Sequence, residues 1–150
     1  MSPTAAARDP DRVTHDRDTA YAILDEALAV HVGFDTDDGP VVIATMHVRD
    51  GDRLLLHGAA NGRLLATLAT GIPLCVTATL ISGRSSYRSV KICGRAAPID
   101  ERDERAAALS RTAEAAAPGR PAACRRTVLS MPIEEFSVKI RTSRTTHGVR

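Results

Sequence analysis

Aromatic residues are scarce in this sequence of 150 residues, and tryptophan is absent. They make up 3% of the chain and are Tyr21, Phe34, Tyr87 and Phe136. Proteins that bind single-stranded nucleic acid usually stack its bases on aromatic side chains. The charges also nearly cancel, with 20 basic against 18 acidic residues, so no strong field of one sign attracts a polyanion. We therefore expect no nucleic-acid partner.

Long hydrophobic runs are missing as well. No apolar run reaches the roughly 18 residues that a membrane-spanning helix needs, and the N-terminal residues lack the apolar stretch of a secretion signal. The cysteines Cys75, Cys93 and Cys124 form no CxxC pair. Cys75 and Cys93 lie in apolar runs, where cysteine usually acts as a small buried hydrophobe. We therefore expect a cytoplasmic protein without a membrane partner.

Hydrophobic residues, at 43% of the chain, suffice for the core of one domain. No internal repeat or interdomain linker is visible. The composition predicts a flexible N-terminal arm over residues 1–15, one domain over residues 16–142, and a flexible basic tail over residues 143–150.

The hydrophobic pattern changes period along the chain. Helical spacing in "DRDTAYAILDEALAV" predicts a first helix, capped by Asp16 or Asp18. The segments "AVHVGFDTDDGP", "VVIATMHV" and "RLLLH" then predict three strands of an antiparallel meander, the first turn marked by Asp-Gly. A short helix follows from about Gly62 to Ala69, and "PLCVTATLIS" and "YRSVKICGRAAPI" predict the next strand pair. Asp100 is predicted to cap an alanine-rich helix, and "TVLSMPIEEFSVKIRT" predicts one or two final strands.

About six strands joined mainly by tight turns indicate an antiparallel barrel rather than a doubly wound sheet. A closed or split barrel also removes exposed strand edges. The predicted fold class is therefore α+β, a six-stranded antiparallel β-barrel with flanking helices.

The segment "HGAANGR" joins the third meander strand to the short helix through very small side chains. Gly58, Ala59 and Ala60 leave the main chain accessible, and the first turn of a helix presents unpaired N–H groups. A phosphate there would be held by these amides, with Arg63 adding a charge-assisted contact. The lysine and glycine spacing of a Walker A loop are missing. The alternative is a plain connection with a surface arginine.

The histidines give a weaker signal. His31, His47 and His57 fall on the three meander strands and could converge. However, no HxH or HxxxH spacing exists, and no cysteine or carboxylate joins them at a ligand interval, so we predict no metal site.

The order of the segments "ILDEALAVHVGF", "PVVIATMHVRDGDRLLLHGAANGR", "YRSVKICGRA" and "MPIEEFSVKIRT" resembles the pyridoxamine-5'-phosphate-oxidase-like family of flavin-binding split barrels. The branch that contains nitroimidazole-resistance proteins is the most similar part of it. The resemblance extends from about Asp16 to Thr142. It implies a six-stranded split barrel, usually a homodimer, with flavin mononucleotide (FMN) at the subunit interface.

The resemblance also implies roles for residues. Arg63 and the adjoining main chain match the phosphate-binding turn, and residues 43–46 match the strand whose main chain runs along the isoalloxazine ring. The resemblance assigns no general acid, and His47 is a candidate on its position alone. The residues expected to contact the cofactor, including the small residues of the turn, are Ile43, Ala44, Thr45, Met46, His57, Gly58, Asn61, Gly62, Arg63, Arg88 and Ser89. One departure is Leu64, which replaces a second basic residue often found after the arginine.

Three functions remain open at this point. The first is an FMN-dependent oxidoreductase acting on a small organic substrate. The second is a module that binds a flavin or haem without turnover. The third is a repurposed biosynthetic enzyme on the same scaffold. A deazaflavin is the alternative to FMN as the redox cofactor.

Overall fold

The computed structural model of the chain describes residues 2–5, 10–59, 62–116, 119 and 126–142. These described residues form three α-helices, ten β-strands, several of them short, and one 3-10 turn at Pro10–Arg12. The helices are α1 (Arg17–Glu26), α2 (Arg63–Ala69) and α3 (Arg102–Ala116). The strands are β1 (Val13–Thr14), β2 (Val30–Thr36), β3 (Gly39–Thr45), β4 (His47–Asp50), β5 (Arg53–Ala59), β6 (Pro73–Gly83), β7 (Ser86–Arg95), β8 (Ala97–Pro98), β9 (Arg126–Pro132) and β10 (Glu135–Arg141).

The strands form two antiparallel sheets. A six-stranded sheet has the order β1-β10-β7-β6-β2-β3, and a four-stranded sheet has the order β4-β5-β9-β8. The predicted α+β fold with a six-stranded antiparallel split barrel is confirmed, and the structure adds that β4 and β5 belong to the second sheet.

The core lies between the two sheets and under α1. On β2 the inward residues Val30, Val32 and Phe34 are buried, in the alternation that a half-buried strand requires. Helix α1 packs against β4, β6, β7 and β10 and buries Ile23 and Leu24. Helix α3 covers the other face of the four-stranded sheet, where its residues Ala108 and Leu109 pack with Leu55 and Val128 in a second, smaller apolar cluster.

The predicted strand "VVIATMHV" is divided in two. β3 pairs with β2 in the six-stranded sheet, whereas β4 pairs with β5 in the four-stranded sheet. The break falls at Met46, whose side chain is 43% exposed. The meander is therefore interrupted, and the chain passes from one sheet to the other beside the edge of β3.

Two carboxylates cap helices. Asp16 accepts a hydrogen bond from the Thr19 N–H at 2.9 Å, which confirms one of the two predicted caps of α1. At α3 the predicted cap, Asp100, is replaced by Glu101, which accepts from the main-chain N–H groups of Asp103 and Glu104. Glu101 directly precedes α3, and its side chain reaches forward to these first-turn donors, as an N-cap side chain does.

The N-terminal segment contacts the six-stranded sheet. Ser2 and Thr4 donate hydrogen bonds to the Glu135 carboxylate, and β1 pairs with β10. The sheet thus begins before residue 16, where the predicted domain starts. The predicted tail over residues 143–150 lies outside the described residues. Within the described chain, no helix has the length and apolar character needed to cross a membrane.

Candidate functional site

A cavity of about 470 Å³ lies where β3, β5 and α2 meet. Its size falls within the range of small-molecule and cofactor pockets, about 300–1,000 Å³. The lining residues are Ile43, Ala44, Thr45, Leu56, His57, Gly58, Gly62, Arg63, Leu64, Leu65 and Leu68. The structure thus brings together most of the residues that the sequence predicted for cofactor contact.

One wall of the cavity is the edge of a sheet. β3 is the last strand of the six-stranded sheet, and it pairs with β2 along one side. On the other side, an edge strand presents main-chain N–H and C=O groups that no neighbouring strand satisfies. Residues 43–45 of this strand line the cavity. The edge can therefore exchange hydrogen bonds with a flat heterocycle that carries both donors and acceptors.

Another wall is apolar. Leu56 on β5 and Leu68 on α2 are fully buried, and Leu65 lies one helical turn before Leu68 on the same face. These leucines are not among the residues that the sequence predicted for the site. The spacing of Leu65 and Leu68 was a usable signal, because it places both on the face of α2 that turns towards the barrel.

The polar end of the cavity is the start of α2. Gly62 is the N-cap residue and provides no side-chain hydrogen bond to the first turn. Arg63 is exposed, and its guanidinium forms no ion pair with any residue that the structure describes. Arg49, Arg53 and Arg88, in contrast, each pair with a carboxylate. This end of the cavity therefore combines an uncompensated cation with helix-start amides, which suits an anionic group.

A packing contact requires glycine at position 58. A Cβ placed on Gly58 would lie 2.1 Å from Cδ1 of Leu65, so α2 packs directly on this strand. Gly58 also lines the cavity, and the prediction that its main chain is accessible to an anion stays a prediction. The glycine permits close contact between strand and helix, and the open space of the site lies beside that contact.

The two buried histidines near the site have different environments. His57 is buried and lines the cavity. His47 is also buried, with 8% of its surface exposed, and its Nε2–H donates to the main-chain oxygen of Leu24 at 2.7 Å. Burial lowers the pKa of His47, partly offset by the hydrogen bond to Leu24. His47 is not among the residues that line the cavity. Its observed contact is the hydrogen bond to Leu24 on α1, which is a structural contact.

Three more of the predicted cofactor residues lie apart from the cavity lining. Arg88 pairs with Glu26 at the end of α1, with 2.9 Å between the guanidinium nitrogen and the carboxylate oxygen. Ser89 lies within the sheet, opposite Thr79 on β6. Met46 lies at the break between β3 and β4. A fourth, Asn61, falls outside the described residues.

The histidines do not form a common site in the part of the chain that is described. His31 is exposed on the outer face of β2, whereas His47 and His57 are buried in the separate environments given above. Among the described residues, no group of three or more histidine, cysteine, aspartate or glutamate side chains is arranged to hold a metal ion.

The sequence matches the family model described as pyridoxamine 5'-phosphate oxidase over residues 16–140. No curated protein matches the chain. Among solved structures, the flavocytochrome Anf3 from Azotobacter vinelandii has a TM-score of 0.82 and 31% sequence identity, and the match covers 95% of this chain and 75% of that chain.

Two further structures share the fold at lower identity. The FAD and heme binding protein from Mycobacterium smegmatis has a TM-score of 0.78 and 23% identity, covering 88% of this chain and 74% of that chain. A candidate 5-nitroimidazole antibiotic resistance protein from Bacteroides thetaiotaomicron has a TM-score of 0.71 and 22% identity, covering 86% of each chain. These two likenesses concern the fold alone.

Proposed function

The chain belongs to the pyridoxamine 5'-phosphate oxidase family of flavin-binding proteins, and from this premise we propose that it is an FMN-dependent oxidoreductase acting on a small organic substrate, with the flavin in the β3–β5–α2 cavity at a homodimer interface. The family that the motifs predicted is confirmed. The observation that carries the proposal is the convergence of residues 43–45, His57, Gly62 and Arg63 on one cavity.

The phosphate of the cofactor fits the polar end of this cavity. Arg63 has no competing carboxylate among the described residues, so its charge is available to an anion. Gly62, as the N-cap residue, offers no side-chain acceptor to the first-turn N–H groups of α2. Leu64 supplies no second positive charge, so Arg63 would carry most of the electrostatic attraction.

The ring of the cofactor fits between the edge of β3 and the leucines. The main chain of residues 43–45 would orient the ring by hydrogen bonds, while Leu56, Leu65 and Leu68 would exclude water from one face. The bound flavin supplies the hydride or electron transfer, and the protein supplies binding, orientation and electrostatics. His57, which lines the same cavity and is buried, would contact the cofactor beneath the phosphate end.

The open side of the site supports the proposed homodimer. Val42 is 69% exposed on the outer face of β3, and its neighbour Ala44 is also exposed and lines the cavity. An exposed apolar edge beside a cofactor pocket is a surface that a second copy would cover. The second copy would then complete the wall that this chain leaves open.

The test of this proposal is turnover by the loaded protein. Protein reconstituted with FMN is reduced chemically without oxygen, and its reoxidation by small organic acceptors, such as a nitroaromatic and a quinone, is followed by flavin absorbance. We expect reoxidation by one acceptor class to be faster than for free reduced FMN at the same concentration. Rates equal to those of free FMN for every acceptor would refute the oxidoreductase and favour a binding module.

A second candidate, a flavin- and haem-binding module, is favoured by one specific observation. Two structures that resemble this chain are described as a flavocytochrome and as an FAD and heme binding protein. His31 is exposed and lies directly opposite Ala44 on the same outer face, so its imidazole could serve as an iron ligand at the dimer surface. Added haem should then give a shifted Soret band that is lost in His31→Ala and kept in His15→Ala. An unshifted band in the unmodified protein would exclude this candidate.

A further inference from the structure

Two cysteines face each other at the centre of the six-stranded sheet. Cys75 on β6 and Cys93 on β7 are directly paired in the antiparallel register, and their Sγ atoms are 2.7 Å apart. β6 and β7 are the two middle strands of the sheet. Directly opposed residues in an antiparallel pair have Cα atoms about 4.5–5.5 Å apart, within the range that a disulfide spans. Both cysteines are free thiols in the structure.

We propose that Cys75 and Cys93 form a reversible cross-strand disulfide, a thiol–disulfide site on the outer face of the six-stranded sheet. This inference is independent of the proposed function, because neither cysteine lines the cavity. It also revises the sequence interpretation, which treated the two residues as separate buried hydrophobes. Sequence alone could not pair them, since the register of β6 and β7 brings together residues that are 18 positions apart.

The two thiols are not equivalent. On β2 the residue beside Cys75 is Gly33, which has no side chain to cover it, and Cys75 is partly exposed. Cys93 has 8% of its surface exposed and lies beside Glu135 on β10, whose carboxylate is held by Ser2. Burial, with the hydrogen bond between the two thiols, raises the pKa of Cys93 to about 12. Cys75 is therefore the sulfur that meets an oxidant first.

The oxidant is a low-molecular-weight disulfide, RSSR. The Cys75 thiol loses its proton and attacks one sulfur of RSSR as the thiolate. This step forms a mixed disulfide on Cys75 and releases RS⁻, which takes up a proton to give the first RSH. The Cys93 sulfur then attacks Sγ of Cys75, gives its proton to the departing group and releases the second RSH. Two protein thiols are oxidised to one disulfide while one RSSR is reduced to two RSH.

The experiment uses the Cys124→Ser protein, in which Cys75 and Cys93 are the two remaining cysteines, so that every thiol counted belongs to this pair. The folded protein is equilibrated in glutathione buffers of increasing oxidised fraction, quenched with acid, unfolded, treated with a maleimide and weighed by mass spectrometry. We expect loss of the mass of two hydrogen atoms, no maleimide and no retained glutathione, all reversed by dithiothreitol. The oxidised protein should also melt at a higher temperature than the reduced protein, because the cross-link restricts the unfolded chain.

Single replacements test the order of attack. Cys93→Ser in this background should retain one glutathione on Cys75, whereas Cys75→Ser should leave Cys93 as a free thiol. If Cys124→Ser does not fold, peptide mapping of the unmodified protein should still identify the cross-linked peptides that contain Cys75 and Cys93. Two free thiols in every buffer, stable glutathione adducts on both cysteines, or a disulfide between two chains would overturn the proposal.

Discussion

At the scale of single residues, a contact across the site explains why position 58 is a glycine, which the sequence pattern did not explain. The segment around Gly58 predicted an accessible main chain, and its neighbourhood does line the cavity. Yet the residue that requires glycine at position 58 is Leu65 on α2. A sequence shows that a side chain is small but does not show what approaches it, so this cause could not be predicted.

Gly58→Ala tests this contact. The added methyl group would overlap Leu65, and we expect a loss of about 1 kcal/mol, the low end for overpacking because the overlapping atom is the far end of a flexible side chain. Urea unfolding measures the loss. In a Leu65→Ala background the same replacement should cost less, as expected for residues in contact.

The matched control is Gly83→Ala, since a Cβ at Gly83 has its nearest neighbour 4.0 Å away. Equal losses of stability at positions 58 and 83, or an undiminished loss at position 58 in the Leu65→Ala background, would contradict the assigned contact.

His47 makes stability depend on pH. Its pKa lies below the ordinary value of 6.5 because of burial, so the folded state binds this proton less readily than the unfolded state. Its effect is absent above pH 6.5, and stability falls as the pH drops below 6.5 towards the lowered folded pKa, by at most about 1.4 kcal/mol per pH unit.

His47→Gln should remove this part of the pH dependence, because the side-chain amide can donate to the Leu24 oxygen but does not titrate. Unfolding free energies measured from pH ~7.5 to pH ~5.5 show the difference in slope. His31→Gln, at an exposed histidine, is the control and should keep the slope. A slope unchanged in His47→Gln would show that other groups govern the acid sensitivity.

At the scale of elements, the helices and long strands were predictable, but their distribution between the sheets was not. Every second residue from β3 into β4 faces inward, without a shift in this alternation at the break. The inward residues are Val41, Ile43, Thr45 and His47. A pattern of period two cannot show that the chain leaves one sheet for another at Met46. Strand β1 was missed for a related reason, since two residues contain no period.

The stability of helix α3 is expected to depend on the capping of its first turn. Few of its side chains are buried, and it is joined to the β4–β5 hairpin by exposed ion pairs of Arg53 with Glu104 and Arg111 with Asp50. Such pairs contribute little, about 0–1 kcal/mol each. The Glu101 cap is therefore expected to determine how well the first turn of α3 forms.

Glu101→Ala should lower the melting temperature and the helical circular dichroism, whereas Asp100→Ala should change neither. The hydrogen bonds from Asp103 and Glu104 lower the pKa of Glu101 below its ordinary 4.5. The stabilisation by the cap is thus complete above pH 4.5 and disappears as the pH falls through the lowered folded pKa. A larger effect at Asp100 than at Glu101 would restore the cap predicted from the sequence.

At the scale of the whole molecule, the split barrel and its family were evident from ordered motifs along most of the chain. The cavity could be predicted in part, because β3, the end of β5 and α2 carry recognisable residues. Its apolar wall could be predicted only in part. The spacing of Leu65 and Leu68 places both on one face of α2, but the sequence does not show that Leu56 on β5 meets them at a cavity. Arg88 was predicted to contact the cofactor, but its guanidinium pairs with Glu26. This partner could not be predicted, because it lies 62 positions away in the sequence.

The proposed dimer predicts an effect of charge on the outer face of β3. Val42→Glu would place an unpaired carboxylate in the covered surface, so the molecule should become monomeric in light scattering and lose flavin. Ser110→Glu, on an exposed position of α3, is the control and should remain dimeric. A strictly monomeric unmodified protein, or a Val42→Glu protein that dimerises as before, would exclude an interface there.

The central claim is that the β3–β5–α2 cavity binds a flavin through Arg63, and an FMN titration followed by flavin fluorescence and absorbance tests it most directly. The unmodified protein should bind one FMN per chain. Arg63→Ala should bind it about tenfold more weakly, since a hydrogen bond to a charged group contributes about 1.5 kcal/mol at an exposed position, while Arg84→Ala should bind as the unmodified protein does. No spectral change with FMN or FAD, or equal affinity in the Arg63→Ala protein, would contradict the account.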